Sequence, residues 1–318
     1  MLHLRLISPV DRTEAVLAFL DASAGVTNIV VLAGAARRPA GDVVLCDVAR
    51  EAADDVVNRL CDLGLEDEGS IAIEDIDTSL SRVAAQAQLD APGEGVDAVV
   101  WNQVEERTSE ESTLSVTYLA FLAIATMIAG VGVLLDQPIL IVGAMVVGPE
   151  FGPIAGLCVA LALRDRRLAA RSARALVIGF PVAIAIAVVA TLIARAVGLV
   201  DPEMLDTEHP FTSFISSPDT FSFVVAFLAG IAGILSLTSA KSGALIGVLI
   251  SVTTVPAAGN AAVALALGDP ATAFGSALQL AVNLSGMIVA GTLTLLLQRR
   301  LWRAAKPADV RGSRRTFT

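Results

Sequence analysis

Five polar side chains stand out because of where they lie. Glu150, Thr253, Thr254 and Asn260 interrupt two otherwise apolar stretches, and Asn283 sits inside a third. Glu150 is the only carboxylate within the apolar part of a segment long enough to span a bilayer. A charged side chain at a bilayer centre costs ~2.5–3.5 kcal/mol on insertion scales, so it must face a cavity or a partner. The chemistry open to this set is binding. A carboxylate holds a proton or a cation, and hydroxyls and amides hold a polar solute. No nucleophile–base pair, metal-ligand spacing or phosphate-cradling loop accompanies them. An enzyme is therefore not expected, nor is a cofactor or a resident metal.

The two interrupted stretches resemble each other. Leu140–Asp165 reads LIVGAMVVGPEFGPIAGLCVALALRD, and Ala244–Asp269 reads ALIGVLISVTTVPAAGNAAVALALGD. At an offset of 104 residues Gly143 falls on Gly247, Val159–Leu163 on Val263–Leu267, and Asp165 on Asp269. The same offset pairs Glu150 with Thr254. The backbone breakers are Gly148, Pro149, Gly152 and Pro153 in the first copy, and Pro256 and Gly259 in the second. Pro153 suits the first turn of a new half-helix. Asn260 suits an N-cap, with helix from Ala261 onward. Backbone in hydrocarbon must be satisfied, so such breaks persist only inside protein or against a wet cavity. Paired broken segments in two halves of a chain point to a transport pathway.

Six crossings are expected: Leu114–Leu135, Ile139–Leu163, Ala175–Val197, Phe221–Leu237, Gly243–Leu267 and Ala271–Leu297. Each is long enough, or nearly so, for ~30 Å of hydrocarbon. Five arginines lie in Arg164–Arg174 and seven basic residues follow Leu297, whereas the alternate loops hold none. The positive-inside rule then puts both termini in the cytoplasm. Three crossings per half make the repeat inverted, residues 114–197 against 221–297. Gln279 lies one turn from Asn283, and both read as polar glue between helices.

Ahead of these segments lies a different kind of chain. Residues 1–112 hold 22 of the 32 acidic residues and eight basic ones, a net of −14. That charge argues against nucleic acid as a partner. No signal peptide is visible. Strands are expected at Leu2–Ile7, Val26–Leu32, Asp42–Val48 and Ser70–Ile76, and helices at Asp11–Ala22 and Arg50–Leu63. A turn is expected across Gly34–Gly41. The order βαββαβ is the ferredoxin-like pattern. Leu80–Gly95 reads as a linker broken at Pro92-Gly93, and Val96–Glu111 as an amphipathic juxtamembrane helix. Three cysteines (Cys46, Cys61, Cys158) share no metal or disulfide spacing.

The expected fold is thus an α-helical polytopic membrane domain of six crossings, an inverted 3+3 repeat with a broken middle helix in each half. A small α+β ferredoxin-like cytoplasmic domain precedes it. The divisions are residues 1–78, a linker and juxtamembrane helix at 79–112, the transmembrane domain at 113–298, and a basic tail at 299–318.

Ile141–Ile154 (IVGAMVVGPEFGPI) resembles the IGAM-x-x-x-P-x-x-GP element of a bacterial and archaeal membrane family, the "uncharacterised hydrophobic domain" (domain of unknown function, family 389). Gly247–Pro256 and Leu280–Gly291 are also similar to it. The resemblance spans most of Thr113–Leu297. It implies the membrane boundaries and a multi-pass protein of a prokaryotic cytoplasmic membrane, but no activity.

The functional expectation is a transporter of a small polar or anionic solute, bound at the midplane between the two breaks and coupled to a proton or cation. A ligand-gated channel is one alternative. A membrane-bound sensor or scaffold, its cytoplasmic domain binding a regulator, is the other. The expected partners are the solute or ion, the lipid bilayer and further copies of the chain.

Overall fold

The computed structural model describes all residues except 77, 92–98, 202–203, 205–214, 216–218, 240–246, 249, 251 and 306–318, with the backbone alone at 302–305. The Pro92-Gly93 break, most of the acidic loop before Thr220, Gly243 and the end of the basic tail lie outside the described residues. The chain divides into two units. One is formed chiefly by residues 1–104, the other by Glu105–Leu237 and Lys241–Arg300.

In the first unit, β1 (Leu2–Ser8), β2 (Val26–Arg37), β3 (Ala40–Val48) and β4 (Ser70–Asp75) form one antiparallel sheet in the order β2-β3-β1-β4. Helices α1 (Val10–Ala22), α2 (Arg50–Asp62) and the one-turn α3 (Leu65–Glu68) alternate with these strands. Leu2, Leu4 and Leu6 of β1 alternate into a core with Val44, Cys46 and Val48 of β3. Val16 and Leu20 of α1 and Val56, Val57 and Leu60 of α2 close it. This is the period-2 and period-3.6 pattern read from the sequence.

Strand β2 runs on to Arg37, five residues past its expected end, and the hairpin turn narrows to Arg38-Pro39. The extension tolerates a register shift between Leu32 and Ala36, where Gly34 adopts φ +62°. The Gly34 N–H donates to Asp42 Oδ1 at 2.7 Å, which ties the irregular stretch to β3 and holds the Asp42 carboxyl below the usual range. Burial, aided by the neighbouring Asp47 charge, pushes the Cys46 thiol up to about 12, so it packs as a small apolar side chain. Helix α4 (Arg82–Asp90) follows, its N-cap Ser81 accepting from the Ala84 N–H. Helix α5 (Trp101–Glu111) lies within the stretch Val96–Glu111 where an amphipathic helix is expected, and begins after Val99 and Val100.

The second unit is helical: α6 (Val116–Leu134), α7 (Pro138–Val147), α8 (Phe151–Leu163), α9 (Arg166–Ala196), α10 (Thr220–Thr238), α11 (Thr254–Leu267) and α12 (Pro270–Ala305). Four of them, α6, α9, α10 and α12, are long and apolar enough to cross a membrane. The pair α7 and α8, bent by 53° across Gly148–Glu150, makes a fifth span or a re-entrant loop. Helix α11 is 14 residues, about 21 Å at ~1.5 Å per residue, too short to cross alone. Of the fifth expected crossing, Gly243–Leu267, only this second arm is described in full, because the first arm lies largely outside the described residues. Phe121, Ile124, Val131, Val177, Val189, Ile193, Leu278 and Leu293 remain exposed on the spans. Such an apolar exterior suits lipid rather than water.

Helix boundaries in this unit recur at the offset read from the sequence. Helices α6 and α10 are each 19 residues, and their ends lie 104 residues apart. Helices α8 and α11 end at Leu163 and Leu267 on left-handed caps, Arg164 and Gly268. The next residues, Asp165 and Asp269, donate their N–H to Ala160 O and Ala264 O, and their carboxylates accept from the first turns of α9 and α12. Gly would be the usual residue at such a cap, and only the second copy has it.

Candidate functional site

Each break has the same local cause. Pro153 and Pro256 both stand third in their helices, α8 and α11, where a missing N–H costs nothing because no earlier carbonyl awaits it. Upstream, Pro149 cannot donate to the Met145 carbonyl, so α7 stops at Val147. Glu150 occupies the N-cap position of α8, but its side chain makes no capping hydrogen bond.

The carboxyl is instead turned to the other break. Thr254 Oγ1 donates to Glu150 Oε1 at 2.7 Å, joining residues 104 apart in sequence. Glu150 is 4% exposed and Thr254 2%. Among the described residues the second carboxyl oxygen, Oε2, is buried with no hydrogen-bond partner. It points at the bare Cα of Gly148, where any Cβ would collide with it and with the Val255 methyl.

A chain of polar groups continues from the neighbouring threonine. Asn283 Nδ2 donates to Thr253 Oγ1 at 3.0 Å, and Gln279 Nε2 donates to Asn283 Oδ1 at 3.5 Å. Gln279 Oε1 is likewise buried and, among the described residues, unpartnered. Buried polar atoms are normally paired, so two orphaned oxygens in one cluster need an explanation.

Asn260 belongs elsewhere. It lies inside α11 rather than at its start, and its Nδ2 donates to Ser276 Oγ of α12 at 2.9 Å. The helix begins at Thr254 with Thr253 as its N-cap, because Pro256 opens the helix where the sequence suggested a break. Gly152 and Pro153 lie inside α8, and Pro256 and Gly259 inside α11, so of the expected breakers only Gly148 and Pro149 fall between helices. Gly259 is a contact point: a Cβ there would stand 2.7 Å from Ala129 Cβ and 2.8 Å from the Gly130 amide nitrogen. Helices α6 and α11 approach closely only because of it. In the other half, Gly233 of α10 meets the Phe151 ring of α8 in the same manner.

Ser276 and Gln279 were not among the site residues expected. Ser276 had a signal: it lies 104 residues after Ser172, which packs against Gly156, the counterpart of Asn260. Ser172 Oγ donates to Ser112 Oγ at 3.0 Å, and Ser112 Oγ to the Gly152 carbonyl at 3.4 Å. Both copies therefore place a serine of the long following helix against the same turn of the half-helix.

The long apolar helices and the buried polar cluster define a protein of the multi-pass membrane class. Residues 145–289 match the model of the family described as a domain of unknown function (DUF389), a stretch that takes in most of the Ile141–Ile154 element. An uncharacterised protein of Methanocaldococcus jannaschii is 26% identical over 186 residues, 57% of this chain and 55% of the relative. The chain thus spans little more than half the length of the curated relative it matches. No solved structure matches.

Proposed function

We propose that the chain is a secondary transporter of a small polar or anionic solute, coupled to a proton or cation at Glu150. The observation that carries this reading is the Glu150–Thr254 hydrogen bond, through which the two interrupted segments meet in one buried cluster. Glu150 contributes the ionisable group. Thr253, Thr254 and Asn283 supply hydroxyls and an amide, and Asn260 braces α11 against α12. The breaks put half-helix N-termini beside the cluster, which favours an anionic or polar group on the solute.

The matching helix ends and caps at an offset of 104 support a repeat; with the basic loops of the sequence it is read as an inverted 3+3 repeat of six crossings, both termini cytoplasmic in a prokaryotic inner membrane. A residue that hydrogen-bonds its own counterpart lies near the two-fold axis relating the halves. The first unit is read as a ferredoxin-like cytoplasmic domain, from its strand order and alternation of elements. Catalysis is not part of this reading, since the cluster holds acceptors and hydroxyls without an activated nucleophile.

The test is flux in liposomes. The purified chain should drive uptake of a solute from a panel of small anions and polar metabolites when a proton or sodium gradient is imposed. The Glu150→Gln variant should uncouple that uptake. Absence of both solute and ion flux under every gradient would falsify the proposal. Currents far above carrier turnover would make it a channel.

A further inference from the structure

We infer that the corner where α8 ends and α9 begins is a headgroup site for an anionic phospholipid, formed by Arg164, Arg166 and Arg167 with Arg299 and Arg300 of α12. The corner is separate from the Glu150 cluster, and the site does not rest on transport. Arg299 Nη1 donates to the Ala162 carbonyl at 2.9 Å, which brings the basic end of α12 to the last turn of α8. Arg164, Arg166, Arg167 and Arg300 are exposed. Among the described residues none of the five arginines is ion-paired. The single carboxylate between Leu161 and Arg174, Asp165, is engaged as the N-cap of α9, where it accepts from the Arg167 N–H at 2.7 Å. Like charges gathered this closely repel, and an anion among them relieves the repulsion.

Two features go beyond the charge count that orients a membrane protein. Arg164 has φ +64°, in the left-handed region that favours glycine. The other copy has Gly268 at the equivalent cap. The first copy thus keeps a guanidinium where the backbone is easier without a side chain. Arg166 and Arg167 stand in the first turn of α9, where the helix dipole disfavours cations and favours phosphate. Topology needs arginines on one side of the membrane, not at these positions.

What adjoins the charge selects a lipid over a free anion. Leu161, three residues before Arg164 on α8, is exposed, as are Leu296 and Leu297, one turn before Arg300 on α12. Residues at these spacings share a helix face. Acyl chains cover the leucines while the guanidinium forks take the phosphate oxygens. Basic pockets between membrane helices bind anionic headgroups in this way.

The experiment is thermal unfolding of the full-length chain in a nonionic detergent, titrated with phosphatidylglycerol, phosphatidylcholine or glycerol phosphate. Ligand binding to the folded state raises the unfolding temperature with concentration. Phosphatidylglycerol should raise it by several degrees, and the other two should not. Arg166→Gln with Arg167→Gln should need about 30-fold more phosphatidylglycerol for the same rise, the scale of attraction for two arginines near a membrane surface. Arg164→Gly should unfold at a higher temperature than the parent chain without lipid, since glycine suits the left-handed cap, and yet need about fivefold more phosphatidylglycerol. A purely structural arginine would not separate these two readouts. Being the more stable, this variant also decides the matter should the double variant fold poorly. Arg195→Gln removes an arginine from the far end of α9 and should leave the titration unchanged. Equal response to phosphatidylcholine overturns the inference, as does an unchanged titration in the variants of the corner. A loss in Arg195→Gln equal to that in Arg164→Gly also overturns it, because net charge alone would then account for the attraction. Glycerol phosphate acting at the same concentration overturns it too, by putting a free anion in place of the lipid.

Discussion

The turn at Gly148–Glu150 and the turn at Val252–Thr253 use one backbone solution for two kinds of chemistry. Both lead into a half-helix with proline third, a left-handed cap at the far end, an aspartate after the cap, and a long helix bearing a serine on the same face. Their polar groups differ. The first turn brings a carboxyl with an oxygen to spare, and the second brings hydroxyls that are all engaged. Repetition thus fixes where side chains meet, while substitution within one copy decides what they bind.

The sharpest way to break this comparison is to make the two sides chemically equal. Glu150→Gln should lower coupled uptake in liposomes by about 100-fold, the scale of ~1.5–3 kcal/mol for a charge-assisted bond. Thr254→Val should lower it by only about tenfold. Equal losses would mean that the two turns share the task. Packing comes next. Gly259→Val forces a branched side chain against Ala129 and the Gly130 backbone, and should cost about 3 kcal/mol, seen as a lower unfolding midpoint. Gly143→Ala, where a Cβ meets nothing within 4 Å among the described residues, should leave that midpoint unchanged.

A subtler experiment exchanges the partners. The double variant Glu150→Thr with Thr254→Glu moves the carboxyl across the contact while keeping it in the same small volume. Ion-dependent uptake should recover about tenfold over Glu150→Gln; no recovery would show that the surroundings of Gly148, not the contact, define the site. Asn260→Ala, which removes the bond to Ser276, should cost about 1 kcal/mol of stability and leave ion dependence alone.

The smallest effect lies outside the helical unit. Asp42 has its carboxyl held low by the Gly34 N–H, so its stabilisation is full above the ordinary carboxylate range. It is lost as pH falls through the lowered value. Hydrogen exchange of Gly34 and its neighbours should quicken in Asp42→Asn at neutral pH and in the parent chain only in acid.

Much of this was legible in the sequence because apolar periodicity and helix breakers act locally. The strands of the first unit, the long spans and the bend at Gly148–Glu150 follow from such signals. The meeting of Glu150 and Thr254 was legible in a second way, through the constant offset. What escaped needed tertiary partners. Asn260 looked like a cap because an amide in an apolar run normally marks a helix end; Ser276, 16 residues on, lets it sit inside one. Strand β2 looked finished at Leu32 because Gly34 reads as a turn, yet Asp42 across the hairpin captures its N–H and the strand continues. Gln279 read as glue between helices, and only its unpartnered oxygen marks it as something more.

The hydrogen bond between Glu150 and its own counterpart also bears on motion. When two halves of a carrier exchange conformations, every pair of equivalent atoms trades places except those on the axis between them. The carboxyl and the Thr254 hydroxyl straddle that axis closely in the proposed repeat, so both move little while helices on either side swing. The ion would then ride at the hinge pin of the movement, its coordination preserved in both orientations. Only the water-filled path leading to it would change sides.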